Sequence, residues 1–163
     1  MLKRLIMLTF AVISCVGCDQ QTKIWAKALL QPGKSLSYFN DSFQLILVEN
    51  HGAFLGLGDQ LPENLKTIIF VGLISVGLAA GLIWASRAKN MTFLGYLATV
   101  LFISGGIGNL IDRAFNHGGV VDFMYMAFGS LHSGIFNVAD IFIMIAAGIM
   151  FYLSFRPRKT TNA

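Results

Sequence analysis

The sequence predicts an all-α membrane protein with four transmembrane helices and a small extracytoplasmic β-hairpin or loop region. Its 163 residues are 55% hydrophobic and only 12% charged, with a mean hydropathy of +0.67, unlike an ordinary soluble domain. Residues 67–86 and 91–111 carry no charge over the roughly 20 residues that a membrane helix needs. We therefore expect residues 1–163 to form a single integral membrane domain.

Two further spans complete the predicted bundle, over residues 5–25 and 136–155. The uncharged part of the first ends at Cys18, so this helix must continue past Asp19 to cross a hydrocarbon core about 30 Å thick. The last span is interrupted only near its beginning, by an asparagine and an aspartate. Asp19 is therefore expected near the far membrane surface.

Basic and acidic residues fall on opposite sides of this four-span arrangement. The basic side contains Lys3, Arg4, Arg87, Lys89, Arg156, Arg158 and Lys159. All eight acidic residues lie in, or at the edge of, segments 19–63 and 112–140, which face the other way. Because short loops rich in Lys and Arg remain cytoplasmic, we expect both termini in the cytoplasm. The net charge of +4 is then a topology signal and does not indicate nucleic-acid binding.

The first span also imitates a bacterial lipoprotein signal peptide, because two basic residues and an apolar run precede Cys15 and Cys18. Cleavage before Cys18 would remove one span and spoil the charge asymmetry, so we favour a retained helix. Both cysteines lie in an apolar helix, where we interpret them as buried thiols and not as a redox pair. A structural lipoprotein modified on Cys18 is the alternative.

The first external segment contains two short runs of aromatic and branched residues, 36–39 and 43–48. Asn40 and Asp41 supply turn chemistry between them, so the segment predicts a β-hairpin on the outer membrane surface. Residues 50–56 follow as a flexible, partly apolar loop. We expect this loop to contact both lipid and substrate.

Four aspartates lie at or near membrane depth, where ionisable groups are costly and usually pair or serve a function. Asp19 ends the first span, Asp112 ends the third, Asp122 lies in the following segment and Asp140 begins the fourth. The third span leaves the membrane on the face where the fourth returns. Asp122 and Asp140 can therefore meet, although they are far apart in sequence.

Two local patterns place polar neighbours beside these carboxylates. Asn109, Asp112 and Arg113 have the spacing i, i+3 and i+4 on one helical face, and Asn137 and Asp140 have the spacing i and i+3. For Asp112, an ion pair with Arg113 is favoured over a catalytic role, because the pair would neutralise both charges at the interface.

Each aspartate taken singly also has an ordinary interpretation. Asp122 would be a solvated loop carboxylate, and Asp140 a charge favoured by the dipole at a helix N-terminus. Membrane carboxylates also bind ions and protons, so a small ion- or proton-coupled transporter is the alternative function. Carrier sites, however, lie near the bilayer midplane between repeats, whereas these acids gather at one face and no repeat is evident.

Other catalytic chemistry has weaker support. His51, His117 and His132 lack metal-ligand spacing, so no metal site is expected. Ser104 beside Gly105 could act as an intramembrane serine nucleophile only with His117 or His132 as its base. Neither histidine is placed on a second membrane helix, so carboxylate chemistry is favoured.

Five sequence blocks, in this order, resemble bacterial lipoprotein signal peptidase, also called signal peptidase II. They are DQQTK at 19–23, NHGAF at 50–54, GGIGNLIDR at 105–113, VVDF at 120–123 and FNVAD at 136–140. The last three form a highly specific combination, and the four-span layout matches over nearly the whole chain. Family members often have two alanines before the phenylalanine of the second block, whereas this chain has Gly52 and Ala53 before Phe54. Because of this difference, the resemblance leaves the role of the loop open.

The resemblance implies that Asp122 and Asp140 form the catalytic dyad of an aspartyl endopeptidase, without metal or cofactor. The residues it implies for substrate binding or dyad support are Asp19, Asn50, Asn109, Arg113 and Asn137. We include Asp112 in this group of expected site residues because it lies on the same helical face as Asn109. The implied substrate is a prolipoprotein with a diacylglyceryl-modified cysteine, cut before that cysteine near the extracytoplasmic face of the bacterial cytoplasmic (inner) membrane. The implied partners are these prolipoproteins and membrane lipid, and no obligate protein partner is indicated.

Overall fold

A computed structural model describes residues 2–52, 58, 60–88 and 91–156 of the chain. Its helices are α1 (Leu2–Leu29), α2 (Glu63–Lys66), a π-helical segment (Thr67–Leu73), α3 (Ile74–Arg87), α4 (Phe93–Phe115) and α5 (Val138–Ser154). Its strands are β1 (Ser35–Tyr38), β2 (Phe43–Asn50), β3 (Val120–Phe128) and β4 (Leu131–His132). The protein is therefore mostly helical with a small sheet.

Three helical stretches of the described chain are long and apolar enough to cross a membrane, Leu5–Leu29, Asn64–Arg87 and Phe93–Phe115. Helix α5 is apolar but shorter, with 17 residues. The first helix continues past Asp19 without a break, as a full crossing would require. The expectation of several long apolar helices is confirmed, whereas the count of four spans stays a prediction.

The strands form one antiparallel sheet in the order β1-β2-β3-β4. The predicted hairpin is confirmed as β1 and β2, and the backbone at its tip turns through the left-handed region at Phe39, Asn40 and Asp41. Strands β3 and β4 were not predicted, and the expected all-α class is corrected to this extent. The reason is that β3 reads VVDFMYMAF, an apolar run without the period-2 alternation that marks a strand.

Many large apolar side chains on the helices are exposed. Examples from three helices are Phe10 at 74%, Val76 at 68% and Phe151 at 68%. A water-soluble protein rarely exposes so continuous an apolar surface, whereas the same surface is favourable against lipid chains. The exposed surface therefore agrees with a membrane environment.

Helix α4 lies at the centre of the bundle and packs against α1, α3 and α5. Close contact is possible because glycines face its neighbours. A Cβ atom built on Gly105 would lie 2.5 Å from the backbone oxygen of Ala139, and one on Gly108 would lie 2.5 Å from Oδ2 of Asp19. These glycines therefore let the backbones of neighbouring helices approach α4 beside the polar cluster.

We expect Gly105→Ala to destabilise the protein by about 1–3 kcal/mol, because the new methyl group must push the α5 backbone away. The matched control is Gly77→Ala on α3, where no atom lies within 4 Å of the added Cβ. This control should be neutral or stabilising by about 0.5–1 kcal/mol, because alanine is the better helix former. Thermal unfolding in detergent tests both variants, and equal melting temperatures would contradict the packing argument.

Candidate active site

Polar side chains from five elements converge where α1, the end of β2, the end of α4, β3 and the beginning of α5 meet. Asp19 and Asn137 are fully buried, and Asp122 is only 2% exposed. The other members are Gln20, Lys23, Asn50, Asn109, Asp112, Arg113 and Asp140. All eight site residues predicted from the sequence are thus brought into one connected cluster.

Two asparagines join Asp122 to Asp140. The Nδ2 of Asn137 donates to Oδ1 of Asp122 at 2.6 Å and to Oδ1 of Asn109 at 3.0 Å. Nδ2 of Asn109 in turn donates to Oδ1 of Asp140 at 2.9 Å, and the backbone N–H of Asn137 donates to Oδ2 of Asp140 at 3.1 Å. Asn50 completes the set by donating to Oδ2 of Asp122 at 3.1 Å. Both carboxylates are therefore held by amide donors of one network.

The two aspartates reach this network from different kinds of backbone. Asp140 belongs to a capping box, since Asn137 is the N-cap of α5 and its Oδ1 accepts from the Asp140 N–H at 3.0 Å. Asp122 lies on β3 opposite Val48 of β2, next to an irregularity in the strand register. The interpretation of Asp122 as a solvated loop carboxylate is wrong, because pairing with β2 holds it inside the structure.

Burial raises the pKa of Asp122 to about 6, and the negative charge of Asp140 acts in the same direction. Hydrogen bonds from Asn50 and Asn137 and the positive charge of Lys23 oppose this shift but do not cancel it. Asp122 can therefore hold or release a proton close to neutral pH, as a group in acid–base catalysis must.

Lys23 forms the centre of a second, ionic part of the cluster. Its Nζ lies 2.9 Å from Oδ2 of Asp19, 2.9 Å from Oδ2 of Asp112 and 3.1 Å from Oδ1 of Asn109. The predicted ion pair between Asp112 and Arg113 is therefore wrong. Asp112 faces α1, where the buried ammonium compensates it, and the guanidinium of Arg113 is directed to other partners.

Asp19 and Asp112 also connect the backbones of neighbouring elements. Oδ1 of Asp19 accepts from the N–H of Ala139 at 2.9 Å, and Oδ2 of Asp112 accepts from the N–H of Val121 at 3.0 Å. Gln20 donates to Oδ1 of Asp112 at 3.0 Å. These two carboxylates are thus engaged in holding α1, α4, β3 and α5 together.

Sequence reasoning did not assign a role to Lys23 or Gln20. The i, i+4 spacing of Asp19 and Lys23 is a signal for their contact, because such residues share one helical face. No comparable signal indicates that the same ammonium also reaches Asp112, which is 89 positions further along the chain. That contact depends on how α1 packs against α4.

Arg113 ties the loop after Asn50 to the bundle. Its Nη2 donates to the carbonyl oxygen of Gly52 at 2.8 Å, its Nη1 donates to that of Asn109 at 3.4 Å, and its guanidinium lies 5.4 Å from the ring centroid of Phe70. Residues 53–57 lie outside the described residues, so the expected contact of this loop with lipid and substrate stays a prediction.

Ser104 is fully buried, and its hydroxyl donates to the carbonyl oxygen of Val100 at 2.7 Å. This is the usual bond of a helical serine to the preceding turn, which favours a structural role over that of a nucleophile. Within the described part of the chain, no group of three or more His, Cys, Asp or Glu side chains is arranged to hold a metal ion.

Fold and site together define an apolar, helical protein in which a buried and a partly buried aspartate, Asp122 and Asp140, share one hydrogen-bond network. The signal peptidase II family, described as "Signal peptidase (SPase) II", matches residues 11–156. The lipoprotein signal peptidase of Clostridioides difficile is 37% identical over 82% of this chain and 84% of its own. That of Borrelia hermsii is 31% identical over 98% of this chain and 96% of its own. The chain therefore belongs to the signal peptidase II family of aspartic peptidases.

Two solved structures share the fold, both described as bacterial membrane enzymes determined by the in meso method. The first, at 2.3 Å resolution, has a TM-score of 0.78 and 24% identity and covers 91% of this chain and 87% of its own. The second, at 1.9 Å resolution, has a TM-score of 0.70 and 22% identity and covers 92% of this chain and 93% of its own. The helices and the small sheet therefore have a known precedent.

Family membership confirms the predicted activity, which is removal of signal peptides from prolipoproteins by an integral membrane peptidase. The transporter alternative has no support. The family match begins before Cys18, so the helix that carries this cysteine belongs to the matched region.

Replacement of Lys23 by methionine should destabilise the protein by about 3–5 kcal/mol, because Asp19 and Asp112 would remain as buried charges without a cation. Lys27→Met is the matched control one turn further along α1, where the exposed ammonium donates to Oδ1 of Asn116 at 3.0 Å. Its effect should stay below about 1 kcal/mol. Similar losses in denaturant or thermal unfolding for the two variants would contradict a central role for Lys23.

Asp122 should make stability depend on pH. Its pKa in the folded protein, about 6, lies above the ordinary value of 3.8, so its contribution is complete below pH 3.8 and is lost as pH rises through 6. Relative to Asp122→Asn, the free energy of unfolding of the wild type should therefore fall by roughly 3 kcal/mol between pH 4 and pH 7, at about 1.4 kcal/mol per pKa unit. Unfolding curves of the two proteins measured from pH 4 to pH 8 test this, and parallel pH dependences would refute it.

Proposed function

We propose that Asp122 and Asp140 are the catalytic dyad of this peptidase, which cuts diacylglyceryl-modified prolipoproteins before the lipidated cysteine. The observation that carries the proposal is the shared partner Asn137, whose side chain donates to Asp122 while its backbone N–H donates to Asp140. The other two buried aspartates are compensated by Lys23. Asp122 and Asp140 are held by neutral amides, and so remain available for proton transfer.

The proposed chemistry divides acid and base roles between the two carboxylates. Two carboxylates close together in a low-dielectric site share a proton and titrate as a pair. The ionised member takes a proton from water as the water oxygen attacks the scissile carbonyl carbon. The protonated member donates to the carbonyl oxygen and, later in the cycle, a proton reaches the leaving amine. The roles exchange during the cycle, so either aspartate can begin as the base.

Lys23 acts in this proposal as a positioning residue for the dyad. An ammonium group can only donate, so the oxygen of the Asn109 amide must face Lys23, and it also accepts from Asn137. The Nδ2 group of Asn109 is then directed at Asp140. One buried cation thereby determines which way the amides between the two carboxylates point.

The proposal places the chain as one integral membrane domain, residues 1–163, with four spans and both termini in the cytoplasm of a bacterium. Lys3 begins α1, Arg87 ends α3 and Arg156 follows α5, all away from the aspartate cluster. The start of α4 lies beside the end of α5, since a Cβ on Gly95 would lie 3.9 Å from Leu153. A basic end opposite an acidic end supports this orientation in the inner membrane.

Helix α5 is the shortest of the proposed spans. Its 17 residues rise about 26 Å, slightly less than a hydrocarbon core of about 30 Å. The dyad residue Asp140 lies in its first turn, so the site would sit at the extracytoplasmic edge of the membrane. There the signal helix and acyl chains of a substrate can stay in lipid while the scissile bond meets water.

The loop at residues 50–54 is proposed to move when substrate enters. Asn50, at the end of β2, donates to Asp122, and Arg113 binds the following Gly52. An extended substrate segment must come within hydrogen-bonding distance of Asp122, which is almost completely buried. Displacement of this loop would expose the carboxylate to substrate and water.

Asp122→Asn and Asp140→Asn should each reduce kcat about 10³-fold or more, because neither an acid nor a base can be replaced by a neutral amide. The assay follows signal-peptide release from a diacylglyceryl-modified prolipoprotein by purified protein in detergent or lipid. Asp41→Asn is the control, because Asp41 is an exposed carboxylate at the hairpin tip and asparagine tolerates its left-handed backbone. Full activity in either dyad variant would refute the assignment.

A further inference from the structure

A cavity of about 330 Å³ lies beside the candidate active site, between the π-helical segment and the end of α4. Its volume is within the range of small-ligand pockets, about 300–1,000 Å³. The lining is basic at His51, Lys66, Arg113 and His117 and apolar at Phe70 and Val71. Arg113 is the one of these residues that also belongs to the candidate active site, and nothing in the peptidase chemistry uses the rest.

The cavity has the charge of an anion site. Two permanent cations and two imidazoles contribute to its wall, and none of the described residues that line it is Asp or Glu. The Nε of Arg113 is buried and has no hydrogen-bond partner among the described residues. A buried donor left without an acceptor costs about 1–3 kcal/mol, and an oxygen of a bound anion would recover that loss.

The π-helical segment that forms one wall is a second, independent sign of a binding site. π-Helical turns are rare and occur frequently at functional sites. Thr67, Phe70 and Val71 of this segment all line the cavity, whereas Ile68 and Leu73 of the same segment are 58% and 62% exposed on the outside of the bundle. The π-helical segment therefore has one face in the cationic cavity and another face on an apolar outer surface that is suited to acyl chains.

The cation and the apolar wall are also held together. The guanidinium of Arg113 stacks over the ring of Phe70 at 5.4 Å, and its two terminal nitrogens bind backbone carbonyls. Because the guanidinium is planar, these contacts also fix the direction of the Nε–H. Guanidinium and ammonium groups with a nearby hydroxyl, here that of Thr67, are the donors that proteins use for phosphate.

We infer that this cavity binds the phosphate group of an anionic phospholipid. The position of the cavity at the outer membrane edge rests on the orientation proposed above, because Lys66 lies near the start of one apolar stretch and Arg113 near the end of another. The ligand differs from the lipid of the substrate, whose diacylglyceryl group carries no phosphate. The site is thus a lipid site additional to the one that substrate binding requires.

Binding is tested by native mass spectrometry of the full chain in detergent with phosphatidylglycerol, phosphatidylcholine or soluble glycerol phosphate. We expect preferential retention of phosphatidylglycerol, because the choline ammonium would face a basic wall. The double variant Lys66→Gln/His117→Asn should lose this retention by at least about tenfold, the affinity change of one lost charged contact. Asparagine is chosen because the backbone of His117 is left-handed. Lys34→Gln, in the exposed turn after α1, is the charge-matched control.

Repeating the binding with Asp122→Asn separates this inference from the proposed catalysis, since that variant leaves every cavity residue in place. If Asp122→Asn retains phosphatidylglycerol but has lost peptidase activity, the result supports both the lipid site and the proposed dyad. Equal retention of the two lipids, or unchanged retention in the double variant with an unchanged melting temperature, would overturn the lipid site. Glycerol phosphate binding as tightly as phosphatidylglycerol would support phosphate recognition and assign the cavity to a soluble ester instead.

Discussion

The buried ammonium of Lys23 is the contact on which the rest of the structure depends. It neutralises Asp19 of its own helix and Asp112 of α4, and these carboxylates accept backbone N–H groups from the start of α5 and from β3. One cation thus fixes the mutual position of the four elements that carry the site. Nearby charge compensation is what makes so many carboxylates tolerable at low dielectric.

Four aspartates in one buried cluster divide into two roles because their partners differ. Asp19 and Asp112 contact the Lys23 ammonium and accept from backbone N–H groups, and these contacts make them parts of the framework. Asp122 and Asp140 have amide donors, and burial leaves Asp122 with a pKa of about 6. Under the proposed function, the difference between framework and reactive carboxylates lies in the environment, since the residue type is the same.

The small sheet matters as much to the site as the apolar helices. Asp122 reaches the bundle on β3, whose pairing with β2 also brings Asn50 to the carboxylate. Glycines of α4 then let α5 and α1 approach closely enough for Asn137 and Lys23 to complete the network. An apolar protein can in this way hold a polar site at one end while the remaining surface faces lipid.

The sequence by itself determined the apolar helices, the β1–β2 hairpin and the choice of polar residues, because hydropathy, turn residues and helical spacing are local properties of the chain. Only the tertiary structure decided which charges pair. The sequence predicted an ion pair between Asp112 and Arg113, but Asp112 instead pairs with Lys23 of a distant helix. Strand β3 was not predicted either, because its apolar run becomes recognisable as a strand only through its pairing with β2. Partners of buried charges are set by packing between elements, which no local pattern encodes.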